Sequence, residues 1–291
     1  MPLDYDLIRN WHFDDLRQRY DERDVILYAL GIGLGADPLD PRQLRYVYED
    51  GLRVFPSMAA VLGYPGFWMK DPRTGVTWTH VVHGEQRIHY HARFPSRGEV
   101  TGRSRITHVI DKGADKGALV VTERTIHDAA AGTLLATLQQ VTFCRADGGF
   151  GHSDPPLEPL PKVPGTQADD CCELTTLPQG ALLYRLNGDR NPLHADPAVA
   201  ASAGFSRPIL HGLCTYAYAT QALVRTLCDG DEERLAYLHG RFSAPVLPGE
   251  TLRVEFWRSR PDLAQFQVRV KERDVIVLSH GVAGLRPALQ P

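Results

Sequence analysis

The stretch from Gly148 to Asp170, GGFGHSDPPLEPLPKVPGTQADD, is the strongest single constraint on how this chain folds. Its prolines lack the backbone N–H that a helix or an interior strand needs, and its glycines have no side chain to bury. It reads as an extended connection. The chain has 291 residues, so this connection leaves halves of similar size, residues 1–147 and 171–291. The halves also echo one another. One spacing relates Tyr28 to Tyr184, Leu30 to Leu186, Gly33 to Asp189 and the pair His83-Gly84 to His239-Gly240. A Gly-Glu pair follows in each half at a slightly shorter interval, Gly98-Glu99 and Gly249-Glu250. The shared order points to a duplicated unit.

The predicted elements repeat as well. In the first half, Asp21 to Gly31 reads as a helix, followed by strand-like runs from Val76 to Ala92, Gly98 to Asp111, Ala118 to Asp128 and Leu134 to Arg145. In the second half, a short helix from Gly180 to Leu186 precedes a longer one from Gly212 to Cys228, whose apolar residues recur at helical spacing with few charges. Such a helix is buried. Strands are expected over Arg234–Ala244, Thr251–Ser259, Ala264–Glu272 and Val275–Leu285. Helix followed by consecutive strands is an α+β pattern, an antiparallel sheet wrapped on an apolar helix. It is not the alternation of a nucleotide-binding sheet, and no GxGxxG opens a helix after a strand.

Composition narrows the function classes. Apolar residues make up 43% and charged residues 23%, enough apolar surface to fill a core. A net charge of −3 argues against nucleic acid or an acidic membrane surface as partner. The uncharged run Pro208–Val224 contains a His, Thr and Gln and is too short and polar to span a bilayer. The opening residues hold early acids and no apolar core, so no secretory signal is expected. Five cysteines without a CxxC pair suggest reduced thiols in a cytoplasmic protein.

The chemistry concentrates in Tyr184–Thr215, YRLNGDRNPLHADPAVAASAGFSRPILHGLCT. Asn187-Gly188 makes a turn, and Pro192 keeps the loop after Asp189 out of helical geometry. His194 returns within the same loop, so a carboxylate and an imidazole can face one pocket and share a water. Asp196-Pro197 then starts a further short helix. His211-Gly212 opens the buried helix, where unpaired N–H groups and the helix dipole suit a developing oxyanion. No GxSxG is present, and Cys214 has no evident partner for nucleophilic work. Asp189, His194, Asp196 and His211 are all metal-ligand types, but their spacing matches no familiar zinc pattern and no metal is expected. From the residues alone, Asp189 can equally be a turn cap and His194 a satisfied surface histidine. His80, His89, His91, His108 and His127 fall in the strand region and read as structural.

Tyr184-Arg-Leu-Asn-Gly-Asp-Arg-Asn-Pro-Leu-His194 resembles the hydratase 2 motif of the MaoC-like (R)-specific 2-enoyl-CoA hydratases, with Asn187 replacing a small hydroxyl residue. Pro208-Ile-Leu-His-Gly-Leu-Cys214, Arg241-Phe-Ser-Ala-Pro-Val and Pro248-Gly-Glu extend the likeness. Tyr28–Gly33, Val82-His-Gly-Glu-Gln86 and Asp111-Lys-Gly113 resemble the N-terminal half of the long form, the hydratase unit of peroxisomal multifunctional enzyme type 2. The resemblance implies a double hot-dog fold, two antiparallel sheets each wrapped around a central helix. It implies a non-catalytic acyl- and CoA-binding repeat in 1–147, a linker in 148–170 and a catalytic repeat in 171–291. The activity implied is hydration of trans-2-enoyl-CoA to (3R)-3-hydroxyacyl-CoA and its reverse, as a hydro-lyase. Asp189 and His194 fall on the catalytic pair and Gly212 on the oxyanion N–H. Asn191, His83, Gly84, Lys112 and Phe242 fall on substrate-binding positions. Acyl-CoA is then a substrate, no cofactor is needed, and a homodimer is expected. Two alternatives stay open on the same fold: an acyl-CoA thioesterase and a non-catalytic acyl-CoA-binding subunit. The C-terminus lacks a Ser-Lys-Leu type address, which favours the cytoplasm over the peroxisome.

Overall fold

The computed structural model describes residues 3–288. Its strands are β1 (Leu16–Tyr20), β2 (Val81–Tyr90), β3 (Gly98–Asp111), β4 (Ala118–Asp128), β5 (Leu134–Cys144), β6 (Asp170–Thr175), β7 (Leu235–Phe242), β8 (Thr251–Arg260), β9 (Leu263–Val270) and β10 (Val275–Leu285). Its α-helices are α1 (Tyr5–Arg9), α2 (Glu22–Gly31), α3 (Pro41–Leu44), α4 (Gly180–Tyr184), α5 (Pro197–Ser202) and α6 (Gly212–Leu227). All the strands join one antiparallel sheet in the order β1-β3-β4-β5-β2-β7-β10-β9-β8-β6. The order on one side of the β2–β7 seam repeats on the other, which is the double hot-dog arrangement. The seam pairs Glu85 with Arg241, Arg87 with His239 and His89 with Tyr237.

The strands form where sequence alternates. In β9, LAQFQVRV, every second residue is buried, and Ala264, Phe266, Val268 and Val270 make one continuous inner face. These side chains share one core with α6, which is buried along most of its length. Ala217, Ala219 and Ala222 have no exposed surface, and such small residues let the sheet close on the helix. Tyr28 and Ile88 from the first half share one core with Leu223 and Phe266 from the second.

The first half departs from the expected symmetry. At the position matching α6 under the spacing that relates Tyr28 to Tyr184, the chain makes only two short 3-10 turns, Pro56–Ala60 and Trp68–Lys70. Gly63 then lies at positive φ against Gly102, where an added Cβ would come within 2.8 Å of the facing backbone, and Pro65-Gly66 follows. This punctuation cannot sustain a long helix. The central helix expected in each repeat is therefore present only in the second.

The edge strands β1 and β6 were not anticipated from the sequence. Both are short, and β1 (LRQRY) is mostly charged or exposed, so neither carries an apolar run. The strand expected from Val76 begins at Val81, after 3-10 turns at Pro72–Thr74 and Trp78–His80. The connection 148–170 is held down across the sheet. The Asp111 carboxylate accepts the N–H groups of Gly149 and Gly151. Gln265 Nε2 donates to the Lys162 carbonyl at 2.6 Å and Trp257 Nε1 to that of Thr166 at 3.0 Å.

Candidate active site

The site begins where α4 stops. A 3-10 turn, Arg185–Asn187, continues the helix, and the Asn187 amide donates to the Tyr184 carbonyl at 3.0 Å. Gly188 reverses the chain at φ +121°. Asp189 Oδ1 then accepts the Asn191 N–H at 3.1 Å, and Asn191 Oδ1 accepts that of Leu193 at 3.1 Å. These two local bonds shape a tight loop, and Pro192 starts the 3-10 turn Pro192–His194 that carries the histidine inward. Asp189 stays exposed while His194 is buried.

Two imidazoles are fixed there by backbone. His194 Nδ1–H donates to the Ile209 carbonyl at 2.8 Å, and His211 Nε2–H donates to the Asp189 carbonyl at 3.1 Å. Each bond sets the tautomer and leaves the opposite nitrogen as the lone-pair site. The rings stack with centroids 3.7 Å apart, and Tyr184 lies 5.0 Å from His211. Burial lowers the His194 pKa, partly opposed by the Ile209 bond and the Asp189 charge. Burial also holds His211 down to about 4, with the neighbouring His194 acting in the same direction. Both rings are thus neutral near neutrality.

His211 is also the N-cap of α6 and offers that helix no side-chain cap. The first N–H groups of α6, beginning at Gly212, therefore stay open to a ligand oxygen beside the stacked rings. Gly212 is packed by Phe242: an added Cβ would sit 3.2 Å from the ring. The Phe242 ring lies 4.6 Å from that of His83. His83 begins a bulge in β2, and Gly84 within it faces the Val141 carbonyl so closely that a Cβ would come within 3.1 Å. Burial pushes the His83 pKa to about 4, and its Nε2 is buried without a partner. Below this pair, Glu85 joins the halves by accepting from Arg87 and Arg241, each at 2.7 Å.

The fold thus gathers most residues singled out from sequence. Asp189, Asn191 and His194 share the loop, Gly212 starts the adjoining helix with Phe242 packed on it, and His83, followed by Gly84, meets the Phe242 ring from across the seam. Lys112 is not brought to this cluster by any contact. It is exposed in the β3–β4 turn with its ammonium 5.0 Å from the Phe143 ring. Sequence reading weighed His211 only as a metal-ligand type and as the residue before Gly212, not as a partner of His194. Tyr64, whose phenol feels the Asp189 charge, had no sequence signal at all.

Asp189, His194 and His211 bring their donor atoms within 4.8 Å of one another, a set that invites a metal. The stacking opposes one. A ligated imidazole holds its metal in the ring plane at about 2.0–2.1 Å, and two rings face to face at a tilt of 27° cannot both aim at one such point. The arrangement instead suits a water held between a carboxylate and a neutral imidazole, next to open helix N–H groups.

Residues 160–280 match the MaoC like domain family, and residues 18–146 match the MFE-2 hydratase 2 N-terminal domain family. The chain is 37% identical to a protein of Arabidopsis thaliana named "Enoyl-CoA hydratase 2, peroxisomal", over 94% of this chain and 93% of that one. It is 36% identical to the "3-hydroxyacyl-thioester dehydratase Y" of Mycobacterium tuberculosis, over 88% of each. A crystal structure of a MaoC-like dehydratase from Phytophthora capsici superposes with a TM-score of 0.87 at 32% identity, covering 98% of this chain and 99% of that one. Among the described residues, no helix is long and apolar enough to cross a membrane.

Proposed function

Since the chain belongs to the MaoC-like hydratase 2 family, we propose that it hydrates trans-2-enoyl-CoA to (3R)-3-hydroxyacyl-CoA and catalyses the reverse dehydration. The observation that carries this reading is the convergence of Asp189, His194 and the uncapped start of α6. The thioester carbonyl accepts the Gly212 N–H, and the helix dipole stabilises the enolate as it forms. Water sits between Asp189 and His194. With Nδ1–H committed to Ile209, His194 Nε2 takes a water proton while the oxygen attacks C3. Asp189 accepts the other water hydrogen and orients it. The imidazolium then returns its proton to C2 on the same face, so one water is added and the enzyme is unchanged. His83, Gly84, Phe242 and Asn191 border the substrate, and Lys112 serves as an outlying contact for a CoA phosphate.

Water and the thioester suffice for this chemistry, without a cofactor or metal. The test is direct: purified protein dialysed against a chelator is given a trans-2-enoyl-CoA series, and the C3 configuration of the product is determined. Loss of enoyl absorbance with the 3R product is expected. Release of free CoA thiol in its place would turn the reading to a thioesterase. Failure to change any enoyl-CoA would leave a binding subunit. A homodimer in the cytoplasm is also proposed. The exposed Leu30, Leu182 and Leu186, on and just after the packed α2 and α4, support self-association. Five unpaired cysteines support a reducing compartment. Light scattering that returns a monomer mass would remove the dimer.

A further inference from the structure

The inner face of the first-repeat sheet is polar where the second is apolar. Where β9 presents Ala264, Phe266 and Val268, β4 presents Thr122 and Arg124. Beside the Pro56–Ala60 turn, a small cleft is lined by Gln86, Arg124, Gln140 and Thr142 together with Tyr64 and Phe67. Arg124 is 7% exposed. Its Nη2 donates to the Ala60 carbonyl at 2.7 Å, and its guanidinium lies 5.3 Å from the Tyr64 ring. Its Nε is buried without a partner. No carboxylate pairs with it among the described residues, and its neighbour Glu123 is engaged with Arg105 at 2.6 Å.

A buried cation without a counter-ion is costly. Gln140 Nε2 already donates to Thr142 Oγ1 at 3.3 Å, so a plain hydrocarbon tail in this cleft would leave the Arg124 charge desolvated without a counter-ion. An anionic oxygen group would supply the missing counter-ion and a partner for Arg124 Nε, while Tyr64 and Phe67 cover the carbon chain leading to it. The cleft is tied to the reaction site through the sheet: Thr142 pairs with His83 across β5 and β2, and Gln86 lies further along the same strand.

We propose that this cleft selects acyl groups whose far end carries a carboxylate, with Arg124 as its counter-ion. The inference rests on the enoyl-CoA reading above and names the class of acyl group that site takes. Its test uses trans-2-enoyl-CoA pairs of increasing chain length, one member ending in a methyl and the other in a carboxylate. At the length that spans the cleft, the carboxylate member should have the higher kcat/KM, by about tenfold or more. Arg124→Met should reduce that ratio by at least about tenfold. A purely structural role for Arg124, as a cap on Pro56–Ala60, would lower both members alike and leave the ratio fixed. Thr142→Val shifts the ratio toward the methyl member without touching the guanidinium, which covers the case in which Arg124→Met fails to fold. Turnover of the methyl series with no carboxylate preference at any length overturns this inference alone. Turnover of neither series defeats the enoyl-CoA reading and this inference with it.

Discussion

The two repeats share a strand order but not an interior, and the contrast locates the chemistry. The second repeat fills its sheet with α6 and uses the start of that helix as part of the site. The first has only the 3-10 turns Pro56–Ala60 and Trp68–Lys70, beside which lies a small cleft lined in part by Arg124 and Gln140. Where the second repeat carries Asp189 after a glycine turn, the first carries Gly33 after α2. Gly33 is at φ +85°, and an added Cβ would come within 2.6 Å of the Tyr218 hydroxyl. Loss of the carboxylate in the first repeat is therefore built into the packing of the second. In the function proposed above, the second repeat is the catalyst and the first its substrate wall, joined at the β2–β7 seam.

The sharpest way to break this division is at the catalytic loop. Asp189→Asn and His194→Gln should each lower kcat for enoyl-CoA hydration by about 10²–10⁴-fold in a protein that still melts cooperatively. Near-normal turnover by either variant would remove the roles assigned here. Restoring the lost symmetry should fail: Gly33→Asp in the Asp189→Asn background is expected to regain no activity. It should cost about 1–3 kcal/mol through left-handed strain and the clash with Tyr218, seen as a fall in Tm. A rise in activity there would mean that the repeats remain interchangeable. Gly212→Ala pushes on the Phe242 ring at 3.2 Å and should reduce kcat on the order of tenfold by displacing the oxyanion donor. Unchanged kcat would detach the start of α6 from the reaction.

The smallest effects are those of pH. Burial holds His83 and His211 at about 4, against 6.5 for an exposed imidazole. As pH falls through 6.5, the unfolded chain takes up protons that the folded chain refuses. Stability is complete above pH 6.5 and is lost progressively toward about 4. Each ring should cost on the order of 1 kcal/mol by about pH 5.5, read from Tm across buffers. His83→Phe should flatten part of this slope. The lowered His194 pKa likewise places the acid limb of kcat/KM below pH 6.5, because hydration uses the neutral ring.

Much of this was legible in the sequence because it is local. Alternation in β4 and β9, the capping pair Asp21 and Asp24 at α2, and the turn Asn187-Gly188 are written within a few neighbouring residues. The Asp189–His194 loop could be read the same way, since its shape comes from bonds between residues two positions apart. The edge strands β1 and β6 were not legible, because their pairing with β3 and β8 compensates for weak patterns of their own. The missing first-repeat helix was masked by the assumption that similar halves have similar interiors, although Pro56, Gly63 and Pro65 were in plain view.

By itself the sequence determined a duplicated α+β unit, its divide at residues 148–170, and a loop bearing a carboxylate and an imidazole. The tertiary structure alone decided that His211 stacks on His194, that Phe242 packs on Gly212 with His83 against its ring, and that Arg124 is buried without an anion. The reason is distance along the chain. Local hydrogen bonds and side-chain periods are set by near neighbours, whereas the meeting of His83 with Phe242, or of Arg124 with the Ala60 carbonyl, exists only after the sheet has closed.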